Sequence, residues 1–395
     1  MRLQFLSVTL LSLVSTLASA EPAEFEQCKS RMQEQASAQG ISAATVNDVI
    51  PGLEYQARVI ELDRSQPEFT QSFADYFDKR VSQNRIDKGR ELYAQYEDFL
   101  AELTRRYGVP GQYLVSFWGL ETNFGSYLGG MPTLDSLATL ACDPRRSEFF
   151  TTEFLLALEL LERENLNAED MKGSWAGAVG HTQFMPSNYL RYAIDGDSDG
   201  RIDLWGSRRD ALASAANFLN QLGWQPQQRW GREVKLPADY DFSQALQTRP
   251  LEDWRSLGLR KADGGPLPVV AGMDAQLIIP SGHKGPVFLV YENFDVIMQW
   301  NRSTSYALSV GHLADRIKGA GPLKQSMPTD QVRLRLTDVL QMQELLIEKG
   351  FEPGVPDGLL GPTTRSALRE FQISAGLVGD GFPDRKTLTQ LGLDY

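Results

Sequence analysis

The stretch that most constrains this fold is Tyr113–Gly125, YLVSFWGLETNFG. Val115, Phe117, Trp118 and Leu120 make it strongly apolar. Gly108-Val109-Pro110 before it forms a turn and a natural helix start, and Gly125 is a stop. The pattern predicts one short apolar helix at the centre of the chain's organisation. Glu121 is its only charged residue. A carboxylate at the end of an apolar, aromatic helix tends to be partly desolvated, which favours its protonated form, and such an acid can donate a proton in catalysis. An ordinary surface glutamate fits the same stretch equally well, so the rest of the chain has to decide.

Residues 1–20 read as an export signal: Arg2, an apolar run Leu3–Leu17, and the small-residue cleavage site Ala18-Ser19-Ala20. The run is too short for a membrane span, and no Cys stands at the cleavage site, so a soluble periplasmic protein without a lipid or membrane anchor is expected. The 395 residues imply two or three domains. A net charge of -12 argues against nucleic acid, and against simple electrostatic attraction to anionic polymers. Any negatively charged polymer would have to be recognised by stacking and hydrogen bonds. The two cysteines, Cys28 and Cys142, suit one disulfide in an oxidising compartment, with two buried thiols as the alternative. Three scattered histidines (His181, His283, His312) and no Cys-x-x-Cys argue against zinc.

In chain order, 24–102 reads as helical, with a capped start at Ile41–Thr45, aromatic Tyr76 and Phe77, and an amphipathic run Gly89–Leu103. The chemical centre is 104–225. The segment Met131–Cys142 and a long helix over Arg145–Glu164 follow the Glu121 helix. Next comes Gly173–Pro186, GSWAGAVGHTQFMP, whose small residues let the backbone approach a ligand or a tightly packed neighbour. Gln183 offers an amide donor and acceptor beside Phe184 and Met185.

Asp195-Gly-Asp197-Ser-Asp199-Gly200-Arg201-Ile-Asp203 has the first nine positions of an EF-hand loop, with Arg201 supplying a backbone carbonyl. Position 12, normally a bidentate Glu, is Gly206, and Asp210 downstream is the candidate replacement. Clustered carboxylates repel one another without a cation, so calcium or a similar hard cation is expected here in a structural role. An acidic turn is the bland alternative.

Residues 211–222 read as helical. Beyond 226, Pro and Gly increase and short β-type runs appear at Pro268–Val270, Gln276–Ile279 and Pro286–Tyr291. Phe294–Gly311 reads as one helix carrying Trp300, Asn301 and Tyr306, and aromatics beside an amide suit sugar binding. Residues 321–330 read as a linker. Residues 331–395 form a three-helix unit with Gly-bent turns, too small for an enzyme of its own.

Several ordered strings carry a resemblance. They are Trp118-Gly-Leu-Glu-Thr-Asn-Phe-Gly125, Gly173-Ser-Trp-Ala-Gly-Ala-Val-Gly180, Gln183-Phe-Met-Pro186, the acidic loop with Leu204-Trp205, and Trp300-Asn-Arg-Ser-Thr-Ser-Tyr306. Residues 24–320 resemble the lytic murein transglycosylase B family (glycoside hydrolase family 103 type). Residues 331–395, with Asp357-Gly-x-x-Gly361-x-x-Thr364 and Ala367-Leu-x-x-Phe371-Gln372, resemble a peptidoglycan-binding module. The resemblance implies a mainly α (α+β) protein: a lysozyme-like helical core, flanking helical and small β subdomains over 21–320, and the C-terminal module. It implies Glu121 as the catalytic residue and glycan contacts from Ser174, Gln183, Asn301 and Tyr306. Trp300 and Phe218, which stand where the family often has Tyr, and Tyr76, which matches a further family Tyr, are implied as substrate contacts as well.

On that reading the substrate is the glycan strand of peptidoglycan. Most glycosidases need two carboxylates flanking the scissile bond, and no second acid accompanies Glu121 in these strings. One suffices if the substrate's own C6 hydroxyl is the nucleophile, giving a 1,6-anhydromuramyl product with no cofactor. The rivals are a hydrolytic muramidase, which would need Asp135, Asp143 or Asp195 to face Glu121, and a non-catalytic wall-binding scaffold.

Overall fold

A computed structural model describes residues 22–64, 71–245, 247–329 and 331–395. The expected export signal lies outside the described residues. The chain runs through α1 (Pro22–Ala38), α2 (Ala43–Asp48), α3 (Ala57–Arg64), α4 (Phe73–Arg80), α5 (Gln83–Gln95), α6 (Glu97–Tyr107) and α7 (Gly111–Thr122). Then come β1 (Met131–Pro132), α8 (Thr133–Cys142), α9 (Ser147–Arg163), β2 (Lys172–Gly173), α10 (Pro186–Tyr192) and α11 (Arg208–Gln221). Serines start many of these helices. Ser42, Ser72, Ser82 and Ser207 each accept the backbone N–H three residues on, satisfying a donor the first turn would leave bare.

Ten of the twelve residues of α7 are buried, and only Gln112 and Glu121 stay half-buried. A helix apolar on every side has to lie in a core. Around it α4, α5, α6 and α11 build one apolar cluster, and a second forms from α1–α3 and α8–α10. Cys28 and Cys142 are bonded, with their Cα atoms 5.9 Å apart, fastening α1 to the end of α8. Closing 114 residues of chain removes roughly 5 kcal/mol of unfolded-state entropy on the chain-entropy model.

Residues 231–290 carry an antiparallel sheet of β3 (Gly231–Lys235), β4 (Arg249–Pro250), β5 (Arg260–Lys261), β6 (Asp274–Ile278) and β7 (Val287–Val290), in the order β4-β6-β7-β3-β5. The short α12 (Leu251–Ser256) lies between β4 and β5. The expected strand at Pro268–Val270 is not one. Val269 is 75% exposed, and a proline cannot donate to a ladder. The interior strand β3 was not legible, because GREVK alternates too briefly to stand out from a loop.

Two runs expected to be continuous helices are broken. The amphipathic run Gly89–Leu103 divides at Tyr96, where α5 ends and α6 begins. Phe294–Gly311 divides into α13 (Glu292–Trp300) and α14 (Thr304–Ile317). Asn301 turns extended at φ -143°, its Oδ1 accepts the Ser303 N–H at 3.2 Å, and Ser303 in turn caps α14. Local side-chain bonds of this kind compete with helix continuation. The break matters for the site, since it lets α13 and α14 approach α7 separately. Ser116 of α7 donates to the Val310 carbonyl of α14 at 2.7 Å.

The C-terminal unit is α15 (Leu336–Glu348), α16 (Pro362–Ser374) and α17 (Arg385–Leu391) around its own apolar cluster. Two buried glutamines organise its turns. Gln343 accepts the N–H groups of Asp357 and Gly358, and Gln372 accepts that of Gly381. The unit meets the rest of the chain through His283, whose backbone N–H and Nδ1 lie 2.8 and 2.7 Å from Asp380 Oδ2, and through Arg333 with Asp75.

Candidate active site

The chain turns sharply after Glu121. Asn123 and Phe124 take φ of +49° and +61°, a region where a bulky aromatic is rare and strained. The turn is held by Thr122, whose Oγ1 donates to the His181 carbonyl at 2.8 Å and accepts the Gly125 N–H at 3.0 Å. The carboxylate of Glu121 is thereby left at the rim of the core.

Two neutral donors meet on one of its oxygens. Trp300, the last residue of α13, donates its indole N–H to Oε1 at 3.0 Å. Tyr306, in the first turn of α14, donates its hydroxyl to the same Oε1. Burial, then the charge of Glu121 and this hydrogen bond, push the Tyr306 phenol well above its ordinary value, so its proton stays in place. Tyr76 and Arg80 of α4 act on Tyr306 from behind, and the Arg80 guanidinium lies 5.1 Å from the Tyr76 ring centroid. The Trp300 ring is enclosed by Phe117 at 4.4 Å, Phe218 at 5.1 Å and Phe184 at 5.4 Å between centroids. Phe218 and Tyr76, expected from sequence as sugar contacts, are 5% and 3% exposed, and Phe218 packs on the Trp300 ring.

The facing wall is Gly173–Pro186. Gly173 pairs with Met131, Val179 with Phe184, and the Ser174 Oγ accepts the Ala178 N–H at 3.1 Å. Gly129 has φ +94°, and a Cβ there would lie 2.1 Å from the Gly173 carbonyl oxygen, so this close approach requires glycine. Gln183 sits at φ +51°, and its Nε2 donates to the Leu128 and Gly180 carbonyls, each at 3.0 Å. Its donor half serves the protein, which leaves the amide oxygen as the half that can read a ligand.

From sequence, His181 enters only in the argument against a zinc site. It is buried, its Nδ1 accepts the Trp118 indole N–H at 3.1 Å, and burial followed by the charge of Arg208 lowers its pKa to about 4. It is a neutral bracket between α7 and the facing wall. No motif announced that role, nor the enclosure of Trp300 by phenylalanines.

The acidic loop gathers part of its expected set. Carboxylate oxygens of Asp195, Asp197 and Asp210 lie within 4.8 Å of one another. Asp210 is 1% exposed and accepts the N–H groups of Gly196 and Asp203. Burial, with the charge of Asp197 as a smaller contribution, raises its pKa despite those bonds. Asp199 and Asp203 are turned to their own backbone instead, accepting from Arg201 and from Trp205 and Gly206. Three oxygen ligands and no nitrogen or sulfur suit a hard cation such as calcium. The loop adjoins the wall, since the His181 N–H donates to the Leu204 carbonyl at 2.9 Å.

The three acids that a hydrolase would recruit are engaged elsewhere. Asp135 accepts the Glu54 N–H at 2.6 Å, Asp143 pairs with Arg64 at 2.9 Å, and Asp195 belongs to the acidic loop.

Residues 24–315 match the family described as the transglycosylase SLT domain, and residues 335–391 match a peptidoglycan binding domain. Membrane-bound lytic murein transglycosylase B of Escherichia coli (strain K12) is 32% identical over 257 residues, 61% of this chain and 66% of that protein, so just under two thirds of that relative is spanned. The crystal structure of SltB3 from Pseudomonas aeruginosa, in complex with NAG-anhNAM-pentapeptide, superposes with a TM-score of 0.89 at 42% identity, covering 93% of this chain and 99% of that one. Escherichia coli lytic transglycosylase Slt35, in complex with calcium, superposes with a TM-score of 0.64 at 28% identity over 76% of this chain and 94% of that one.

Proposed function

The chain belongs to the transglycosylase SLT domain family, and from that membership we propose that it is a periplasmic lytic murein transglycosylase with Glu121 as its single acid and base. It cleaves the β-1,4 bond between N-acetylmuramic acid and N-acetylglucosamine. The observation that carries the reading is Glu121 itself, half-buried at the end of α7 and held by Trp300 and Tyr306, in a chain 42% identical to a protein solved with an anhydromuramyl peptide.

Glu121 protonates the glycosidic oxygen as the bond from C1 breaks. The resulting carboxylate then takes the proton of the muramyl C6 hydroxyl as that oxygen bonds to C1, closing the 1,6-anhydro ring. Water takes no part, and Glu121 ends as it began. Ser174, the amide oxygen of Gln183 and Asn301 orient the sugar, while Tyr306 and Trp300 hold the carboxylate, with Phe218 packed on the Trp300 ring and Tyr76 close to Tyr306. Asp195, Asp197 and Asp210 bind the cation, which braces the facing wall through Leu204. The C-terminal module holds the enzyme on peptidoglycan. With a net charge of -12, attachment rests on hydrogen bonds and stacking.

Mass spectrometry of muropeptides released from purified sacculi tests this. Products lighter by one water than hydrolytic fragments are expected. Reducing-end products would make the protein a hydrolase, and sacculus binding without products would make it a scaffold.

A further inference from the structure

We infer that Tyr127 is a sugar platform, whose exposed ring stacks on the glycan beside the bond that Glu121 cleaves. This rests on the reading of the cleft as a glycan-cleaving site and adds a specificity-determining residue to it.

The chain fixes Tyr127 between the acid and the facing wall. Its backbone N–H donates to the Thr122 carbonyl at 3.2 Å, one residue beyond Glu121. The carbonyl of Leu128, the next residue, accepts from Gln183 at 3.0 Å. Gly129 follows, so close to the wall that a Cβ there would lie 2.7 Å from the Ser174 nitrogen. Three consecutive residues therefore join the backbone at Glu121 to Gln183 and Ser174, which orient the sugar. A glycan that reaches all three of those side chains runs alongside this loop.

The loop is anchored. Phe124, three residues before Tyr127, is buried, and its ring lies 5.8 Å from that of Trp118 between centroids. A Cβ on Gly119 of α7 would stand 2.8 Å from the Phe124 ring, so glycine makes room for it. One aromatic of the loop is thus sunk in the core and the other is turned to solvent. Tyr127 is 71% exposed, and neither its ring nor its hydroxyl has a partner among the described residues. Further along, a Cβ at Gly130 would meet nothing within 4 Å, so the space beside the loop is open.

A lone exposed aromatic is common on a protein surface. What marks this one is its place, on a fixed loop between the acid and the wall, where it adds nothing to the core. A flat ring in water gains when the apolar face of a sugar covers it, and a backbone already held leaves little to be ordered on binding. The net charge of -12 leaves stacking and hydrogen bonds as the means of holding the strand.

The test measures cleavage of a peptide-free tetrasaccharide of alternating N-acetylglucosamine and N-acetylmuramic acid by the full chain. Tyr127→Ala is expected to raise KM about tenfold and leave kcat within about twofold, the mark of a contact made equally before and during the reaction. Tyr127→Phe keeps the flat ring and should stay within about twofold of wild type in both. The melting temperature should not move in either variant. An unchanged KM in Tyr127→Ala would overturn the platform. An equal loss in Tyr127→Phe would overturn it by making the hydroxyl the contact. A fall in kcat with KM unmoved would overturn it by making Tyr127 a support for the loop. Calorimetric binding of the same tetrasaccharide to Glu121→Gln separates the platform from the acid–base reading. Adding Tyr127→Ala to that variant should weaken binding about tenfold. No weakening would overturn the platform alone, whereas an active Glu121→Gln would overturn the assignment of Glu121.

Discussion

Glu121 shares one carboxylate oxygen with donors 179 and 185 residues further along the chain, whereas Asp195 takes the N–H groups of Ser198 and Gly200, three and five residues away. The first arrangement exists only once α7, α13 and α14 have packed. The second is mostly a property of its own turn, where Ser198 and Gly200 supply the left-handed conformations. Backbone donors, Gly200 first, hold Asp195 below the ordinary carboxylate range, while buried Asp210 is raised. The acidic loop is thus a local structure completed by Asp210 at the start of the next helix, whereas both described donors to Glu121 come from far along the chain. The two are joined at Gly180-His181, which packs on Leu204.

The largest expected effect separates chemistry from architecture. Glu121→Gln keeps a side chain that accepts from Trp300 and Tyr306 but cannot cycle a proton. Muropeptide release should fall by about a thousandfold or more, with thermal unfolding and sacculus binding close to wild type. Near-normal turnover would remove Glu121 from the mechanism.

At the junction, His181 stays neutral with a pKa of about 4, below the usual 6.5. Below pH 6.5 the unfolded chain takes up a proton that the folded chain refuses, so stability is intact above that pH and declines as pH falls toward 4. The loss reaches up to about 3 kcal/mol. Urea unfolding at pH 7 and pH 4.5 should show the decline, and His181→Gln should remove about half of it, because buried His312 is lowered to about 4 as well. An equal slope in the variant would shift the effect to other groups.

The acidic loop responds to a different agent. Calcium at about a hundred times its dissociation constant should stabilise the chain by roughly 2.7 kcal/mol, read as a drop in melting temperature on chelation. Asp210→Asn should abolish most of that sensitivity and leave the pH 6.5–4 slope of His181 intact. A chelator-insensitive wild type would reduce the loop to an acidic turn.

The smallest effect lies on the link itself. A Cβ at Gly180, φ +73°, would stand 2.5 Å from the Leu204 carbonyl oxygen. Gly180→Ala should cost about 1–3 kcal/mol and weaken calcium's benefit to activity, measured by comparing chelator effects on cleavage. Unchanged coupling would mean that the loop and the wall act independently.

What the sequence by itself determined is what neighbours in the chain can settle. The serine caps, the apolar helix with one carboxylate, the acidic loop and the Gly-bent turns of the C-terminal unit are all short-range. Their donors and acceptors travel with the turn that needs them. The order of strings was enough to place the chain in its family. Tertiary structure decided the rest. It packed Trp300 against three phenylalanines, made Tyr306 a donor to Glu121, and buried Tyr76 and Phe218. It also made β3 an interior strand, paired with β7 and β5. A side chain's role at such places depends on which of many weak apolar contacts win when the cores assemble, and that sum is taken over residues hundreds of positions apart.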